Sequence, residues 1–207
     1  MIVGRWPDGT PLVHNEKQPS GLDPHRGNHF GFAQTIEDVS LIAGHAPSAS
    51  PISVKGWPAD SLGARCPLFA HIRKVNPRDH IADQGPPGKS LAAQMLRRGI
   101  PYGPAFVSGV NESQDRGLLF IAYCTSLEEQ FRLLNTVWMN NAATPLTNTN
   151  GFDLLVGQTK DGVPRTATFT LPSSQCTITT LARFVTATGG AFLFAPSLST
   201  LRAIAQG

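Results

Sequence analysis

An α+β domain built on an antiparallel sheet is the fold class this sequence predicts, on three observations. Gly117 to Cys124 reads GLLFIAYC, a continuous apolar run typical of a buried strand. Ser126 and Glu129 have capping-box spacing, and Leu127, Phe131, Leu134 and Trp138 then recur at helical intervals, so 126–140 reads as an amphipathic helix lying on the sheet. Arg165 to Leu171, RTATFTL, alternates as a strand does. This succession of elements is that of an α+β fold.

The other elements follow from weaker signals. Leu91 to Arg98 forms a short helix stopped at Gly99. Phe184 to Thr188 and Ala191 to Phe194 flank Gly189 and Gly190 like strand ends around a turn, and Leu198 to Ala205 closes as a helix. Residues 1–64 are broken by turn formers (Pro7, Asp8 and Gly9, then Gly21, Pro24 and Gly27, then Pro47 and Pro51), which predicts a loop-rich wrapping segment ahead of a domain over 65–207. A chain of 207 residues is long enough for one real core and short for two.

A formal charge of +3 is mild, and Lys and Arg are scattered rather than gathered into a stripe with aromatics between them, which argues against nucleic acid as a partner. No apolar run reaches the length of a membrane span, and Met1 to Asp8 lacks a signal pattern, so no membrane association is expected. Cys66, Cys124 and Cys176 are odd in number and far apart; free thiols in a reducing, cytoplasmic setting are expected. The histidines, at His14, His25, His29, His45, His71 and His80, show no zinc or non-haem iron spacing, and spacing alone selects none of them.

One stretch does select. Cys66-Pro67-Leu68-Phe69-Ala70-His71-Ile72-Arg73-Lys74-Val75-Asn76-Pro77-Arg78 closely resembles the proximal haem motif of dye-decolorizing peroxidases. The resemblance continues, in order, through Arg97-Arg98-Gly99-Ile100-Pro101-Tyr102-Gly103, Gly117 to Tyr123, and Phe184 to Gly190 with Phe192 to Pro196 behind it. It implies a ferredoxin-like antiparallel sheet with helices on one face, one half of a dimeric α+β barrel-like peroxidase fold, with 65–207 as the haem-binding domain.

Carried over residue by residue, the resemblance makes His71 the axial ligand of haem b iron, with the opposite face open to peroxide. It makes Arg73 and Arg78 the holders of haem propionates, since a guanidinium fork suits a carboxylate. Arg97 matches the distal arginine that steadies the peroxide anion; its neighbour Arg98 is the rival, more simply a solvated charge. Leu118 and Phe120 match the apolar distal lining, and Asp153 the carboxylate that accepts the other ring N–H of the histidine. After Asp153 the family usually shows proline, and here Leu154 stands. Trp138 and Tyr102 are candidate electron relays, with core packing the simpler role for Trp138.

The family's distal Gly-x-x-Asp-Gly motif, whose aspartate moves a proton between the peroxide oxygens, has no match here. Gly4-Arg5-Trp6-Pro7-Asp8-Gly9 has one residue too many, and Asp8 reads as a turn residue. The resemblance covers about the second half of a usual family member. Because Met1 opens the sequence just before that Gly-Arg-Trp segment, the expectation is a split enzyme: a second polypeptide supplies the first domain and the distal aspartate, residues 1–64 pack on it, and a wide apolar face awaits it. Hydrogen peroxide and an aromatic or dye reductant are the expected substrates. The competing readings are a haem carrier, sensor or structural subunit, a homo-oligomer in place of a heterodimer, and a small non-haem interaction domain.

Overall fold

The structure, a computed structural model, describes residues 1–14, 30–33, 59–146, 151–160, 162–171 and 174–206. His25, His29 and His45, and most of the turn formers expected between 15 and 58, lie outside the described residues.

At its centre is a single helical turn, α1 (His71–Lys74). A helix start leaves backbone N–H groups without partners. Here the carbonyls of Ile2 and Val3 accept from His71 N (2.9 Å) and Ile72 N (3.1 Å), which ties the first residues of the chain to α1. The lead-in and exit of this turn reach three separate cores. Cys66 and Ala70 pack with Leu12, Val13, Phe30 and Phe32; Phe69 packs with Leu154, Ala167 and Phe169; Val75 packs against Ala82, Ala93, Leu134 and Trp138. The described part of the 1–64 segment therefore packs on its own chain.

A short helix, α2 (Pro87–Ala92), starts with proline at its first turn, where a missing N–H costs nothing. The helix expected over 91–98 is corrected: the chain leaves helical geometry at Ala93, and Leu96–Tyr102 is strand β1. β1 pairs antiparallel with β2 (Gly117–Tyr123), from Leu96↔Tyr123 to Tyr102↔Gly117. Pairing with Tyr123, Ala122 and Ile121 on a distant strand overrides the helix propensity of Leu96, Arg97 and Arg98, which is a weak local bias. β2 is a strand as expected, but Leu118, Leu119 and Phe120 are exposed on both faces of the ribbon rather than buried.

The helix expected over 126–140 is α3 (Leu127–Met139), of π type, with the Ser126 hydroxyl accepting from Glu129 N at 3.2 Å. A π helix turns more slowly than an α helix. Its buried stripe therefore runs Gln130, Leu134 and Trp138, while Leu127 and Phe131, expected inward, are exposed. Nor does α3 lie on a sheet: Gln130 Nε2 donates to the carbonyls of Ala92 and Gln94, and Leu134 and Trp138 pack on Ala82 and Ala93.

Strand β3 (Arg165–Leu171) pairs with β4 (Ser174–Thr180), which the sequence reading did not pick out. Ala167 and Phe169, opposite Ile178 and Cys176, face Phe69 and Leu154; the other face carries Thr166–Thr179 and Thr168–Thr177 hydroxyl pairs. The class is thus α+β with antiparallel pairing, present among the described residues as two two-stranded ribbons and no closed barrel. Residues 184–194 form no strand and stand exposed, a correction that follows from their having no described strand to pair with. Helix α4 (Leu198–Gln206) closes the chain and buries none of its side chains. Among the described residues no helix is long and apolar enough to cross a membrane.

Two buried polar features yield tests. Arg73 is fully buried against Asp60, with Nη1 3.0 Å from Oδ2. Arg73→Met would strand that carboxylate, and the expected loss is about 3–5 kcal/mol of folding stability by urea titration. His80 is pushed down from 6.5 to about 4 by burial and then by the charge of Arg73. The unfolded chain binds the proton first, so stability is full above 6.5 and declines as pH falls toward about 4. Urea midpoints across that window should fall less steeply in His80→Asn; an unchanged slope would uncouple His80 from folding.

Candidate functional site

His71 opens α1, and its Nδ1 lies 2.6 Å from Asp153 Oδ2. Asp153 is fully buried, and its other oxygen accepts from the backbone amides of Leu155 (2.9 Å) and Val156 (3.1 Å). A carboxylate oxygen accepts, so Nδ1 is the ring nitrogen that donates in this contact, and Nε2 is the one that faces away from it. No described residue bonds Nε2, and the side chain is 24% exposed while its carboxylate partner is enclosed. A histidine oriented through Nδ1 by a carboxylate, with Nε2 bare, is the arrangement of a metal-ligating imidazole. Leu154, where the family favours proline, is wholly buried in the Phe69 core and does not disturb this contact.

Arg73, which the resemblance puts on a haem propionate, has its guanidinium engaged within the chain. Its Nη1 donates to Asp60 Oδ2 and Cys66 O, its Nη2 to Asp60 O and Ser61 O, and its guanidinium stacks 4.3 Å from the Phe32 ring centre. A guanidinium so enclosed is committed to the fold. Arg78 differs. It takes a left-handed backbone (φ 56°), lies 3.8 Å over Phe30 and donates to Phe30 O, and burial pushes its pKa down to about 9, with Arg5 adding to the effect. Arg5, in turn, is lowered by burial and feels the charge of Arg97. Arg5 and Arg78 thus both lie against the Phe30 ring, at 5.7 and 3.8 Å, and Arg97 is near enough for its charge to act on Arg5, a setting that favours an anion. Arg5 was missed from sequence, although the Gly4-Arg5-Trp6 segment was the available signal.

The β1–β2 register separates Arg97 from Arg98. Residues directly opposite in an antiparallel pair share a face, and faces alternate along a strand. Arg97↔Ala122, Gly99↔Phe120 and Pro101↔Leu118 thus put Arg97 on the face of Leu118 and Phe120, whereas Arg98↔Ile121 lies on the other. Tyr102, half exposed, covers Gly117, where a β-carbon would meet its hydroxyl at 2.7 Å. Trp138 is fully buried and donates from Nε1 to Asp83 at 2.8 Å, a packing position. Asp8 accepts from Thr10 N and Oγ1 in the turn at Gly9. Cys66, Cys124 and Cys176 are free thiols, and burial pushes Cys66 up to about 12. An open groove lined by Ala142, Gly151, Thr166, Thr168 and Gln175 holds no titratable side chain and is no rival site.

Comparison with known proteins gives the chain's family. A dye-decolorizing peroxidase of Auricularia auricula-judae is 34% identical over 215 residues, covering 97% of this chain and 38% of that protein. The solved structure of an ancestral D-type dye-decolorizing peroxidase superposes with a TM-score of 0.64 at 32% identity, over 88% of this chain and 38% of the other. A dye-decolorizing peroxidase in complex with 2,6-dimethoxyphenol gives a TM-score of 0.60 at 29% identity, over 88% of this chain and 36% of the other. The chain thus spans under two fifths of the length of these relatives. Residues 45–151 match the family described as Dyp-type peroxidase, C-terminal, and the chain belongs to the dye-decolorizing peroxidase family.

Proposed function

We propose that this chain is the haem-ligating part of a dye-decolorizing peroxidase that reduces hydrogen peroxide and oxidises dyes or phenols. The observation that carries the reading is the His71–Asp153 pair with Nε2 bare. The residues present fit haem b. His71 Nε2 would hold the iron, with Asp153 holding the ring; Arg78, beside Arg5 at the Phe30 ring, would suit the propionates; Leu118 and Phe120 would offer an apolar lining. When bound, the haem iron supplies the redox centre at which peroxide is reduced.

The protein groups do the rest. Asp153 keeps the Nδ1 proton engaged, which makes the imidazole a stronger donor. Arg97 brings a permanent charge to the face lined by Leu118 and Phe120, where a dry surround strengthens its hold on an anionic peroxide. A proton must also pass from one peroxide oxygen to the other. Asp8 is engaged with Thr10, so the acid for that transfer is assigned to a domain outside these residues, on a second chain. The exposed apolar ribbon supports such an association, and the free thiols support a cytoplasmic setting. A phenolic reductant is supported by the relative that binds 2,6-dimethoxyphenol. The engaged state of Asp8 also favours one second reading, a haem-binding subunit with little turnover.

The test is an absorption spectrum and peroxide-dependent dye oxidation, on the purified chain and on the complex that co-purifies with it. His71→Ala should abolish the Soret band of ligated haem. Arg97→Ala should keep haem content and lower kcat by about 100- to 1,000-fold, while Arg98→Ala stays near the unsubstituted rate. Haem without turnover in the native complex would select the second reading, and no haem in either preparation would refute both.

A further inference from the structure

Three residues after His71, on the same turn, Lys74 is fully buried, and among the described residues it bonds only backbone carbonyls. Its Nζ donates to the carbonyls of Asn141 (2.6 Å), Thr144 (2.5 Å) and Gly151 (3.1 Å), which uses all three ammonium protons. The accepting residues bracket the connection between α3 and Asp153. Its described residues have other ties as well, Gly151 N to Ala142 O (3.3 Å), Asp153 N to Met139 O (3.1 Å), Asp83 N to Pro145 O (2.8 Å) and the Thr144 hydroxyl to Val137 O, but among these described bonds only those of Lys74 join Asn141, Thr144 and Gly151 to α1. Gly151 also passes so close to β3 that a β-carbon there would lie 2.5 Å from Ala167 Cα, so the backbone has one side closed and the other gripped by Lys74.

We propose that Lys74 is a positioning residue for the His71–Asp153 hydrogen bond: its ammonium pins the 141–151 connection to α1 and thereby sets how far Asp153 reaches onto the imidazole. The consequence for ligation rests on the function proposed above; the pinning itself does not. Burial opposes the charge and draws Lys74 down to about 8, with Asp153 and Asp83 opposing that shift, so the ammonium is held against a desolvation cost that a bystander side chain would avoid by neutralising or leaving. Arg73, one position earlier and equally buried, is the control, because its bonds go to Asp60, Ser61 and Cys66 and none to this connection.

Lys74→Met, Lys74→Gln and Arg73→Met in the full chain test this with two readouts. Without haem, and after each variant's loss of global stability by urea titration has been subtracted, amide hydrogen exchange at Gly151 and Asp153 should accelerate about tenfold or more in Lys74→Met, as expected for loss of local protection, less in Lys74→Gln, and little in Arg73→Met, whose excess acceleration should centre on residues near Asp60. With haem, the ferrous iron–imidazole stretching frequency should drop in Lys74→Met, recover partly in Lys74→Gln and stay unchanged in Arg73→Met. Unchanged exchange at both amides overturns the pinning; altered exchange with an unchanged frequency overturns the link to His71. If Lys74→Met does not fold, Lys74→Gln carries both readouts. A chain that never takes up haem would sink the peroxidase reading, while the exchange data still decide whether Lys74 pins Asp153.

Discussion

One helical turn has to keep two cations dry, and much of the molecule is arranged around that constraint. Arg73 and Lys74 are both fully buried on α1, and a buried charge without partners costs several kcal/mol. Arg73 meets the cost with a carboxylate and three carbonyls from the 60–66 segment, and Lys74 with three carbonyls from 141–151. Each solution draws a distant segment onto the turn, which is why three hydrophobic cores meet at residues 66–75. His71, at the head of the turn, inherits that rigidity.

The electrostatics are divided along the chain. One side of the His71 turn presents an enclosed carboxylate already supplied with amide donors, which fixes the imidazole through Nδ1. Around Phe30 the sign reverses, with Arg5 lowering Arg78 and the charge of Arg97 acting on Arg5. The first arrangement needs only this chain to be complete. The second is a concentration of like charge that becomes favourable when an anion joins it.

Local chemistry was legible in the sequence and nonlocal pairing was not. The Ser126 cap could be read because both partners lie within four residues, and β3 because its alternation is strict. β4 escaped notice because threonines on both faces blur the alternation of Cys176 and Ile178. β1 was misjudged for the opposite reason: Leu96 to Arg98 favour helix locally, and only the partner strand reverses the choice. At the site, the resemblance paired Asp153 with His71, and the two side chains do meet at 2.6 Å, while nothing in the 66–78 motif shows that Arg73 finds its carboxylate in the loop at Asp60. That partner had to be seen in space.

The β1–β2 ribbon has a consequence for how firmly the two sides of the site are held. A lone two-stranded ribbon is marginally stable in water and twists more freely than a wider sheet. The direction in which Arg97 points is therefore held by two strands alone among the described residues, whereas the His71–Asp153 pair is backed by the packing of Phe69 and Leu154 on either side of it in sequence. The two sides of the site thus differ in stiffness, and a twist of the ribbon would re-aim the guanidinium while leaving the imidazole where it is.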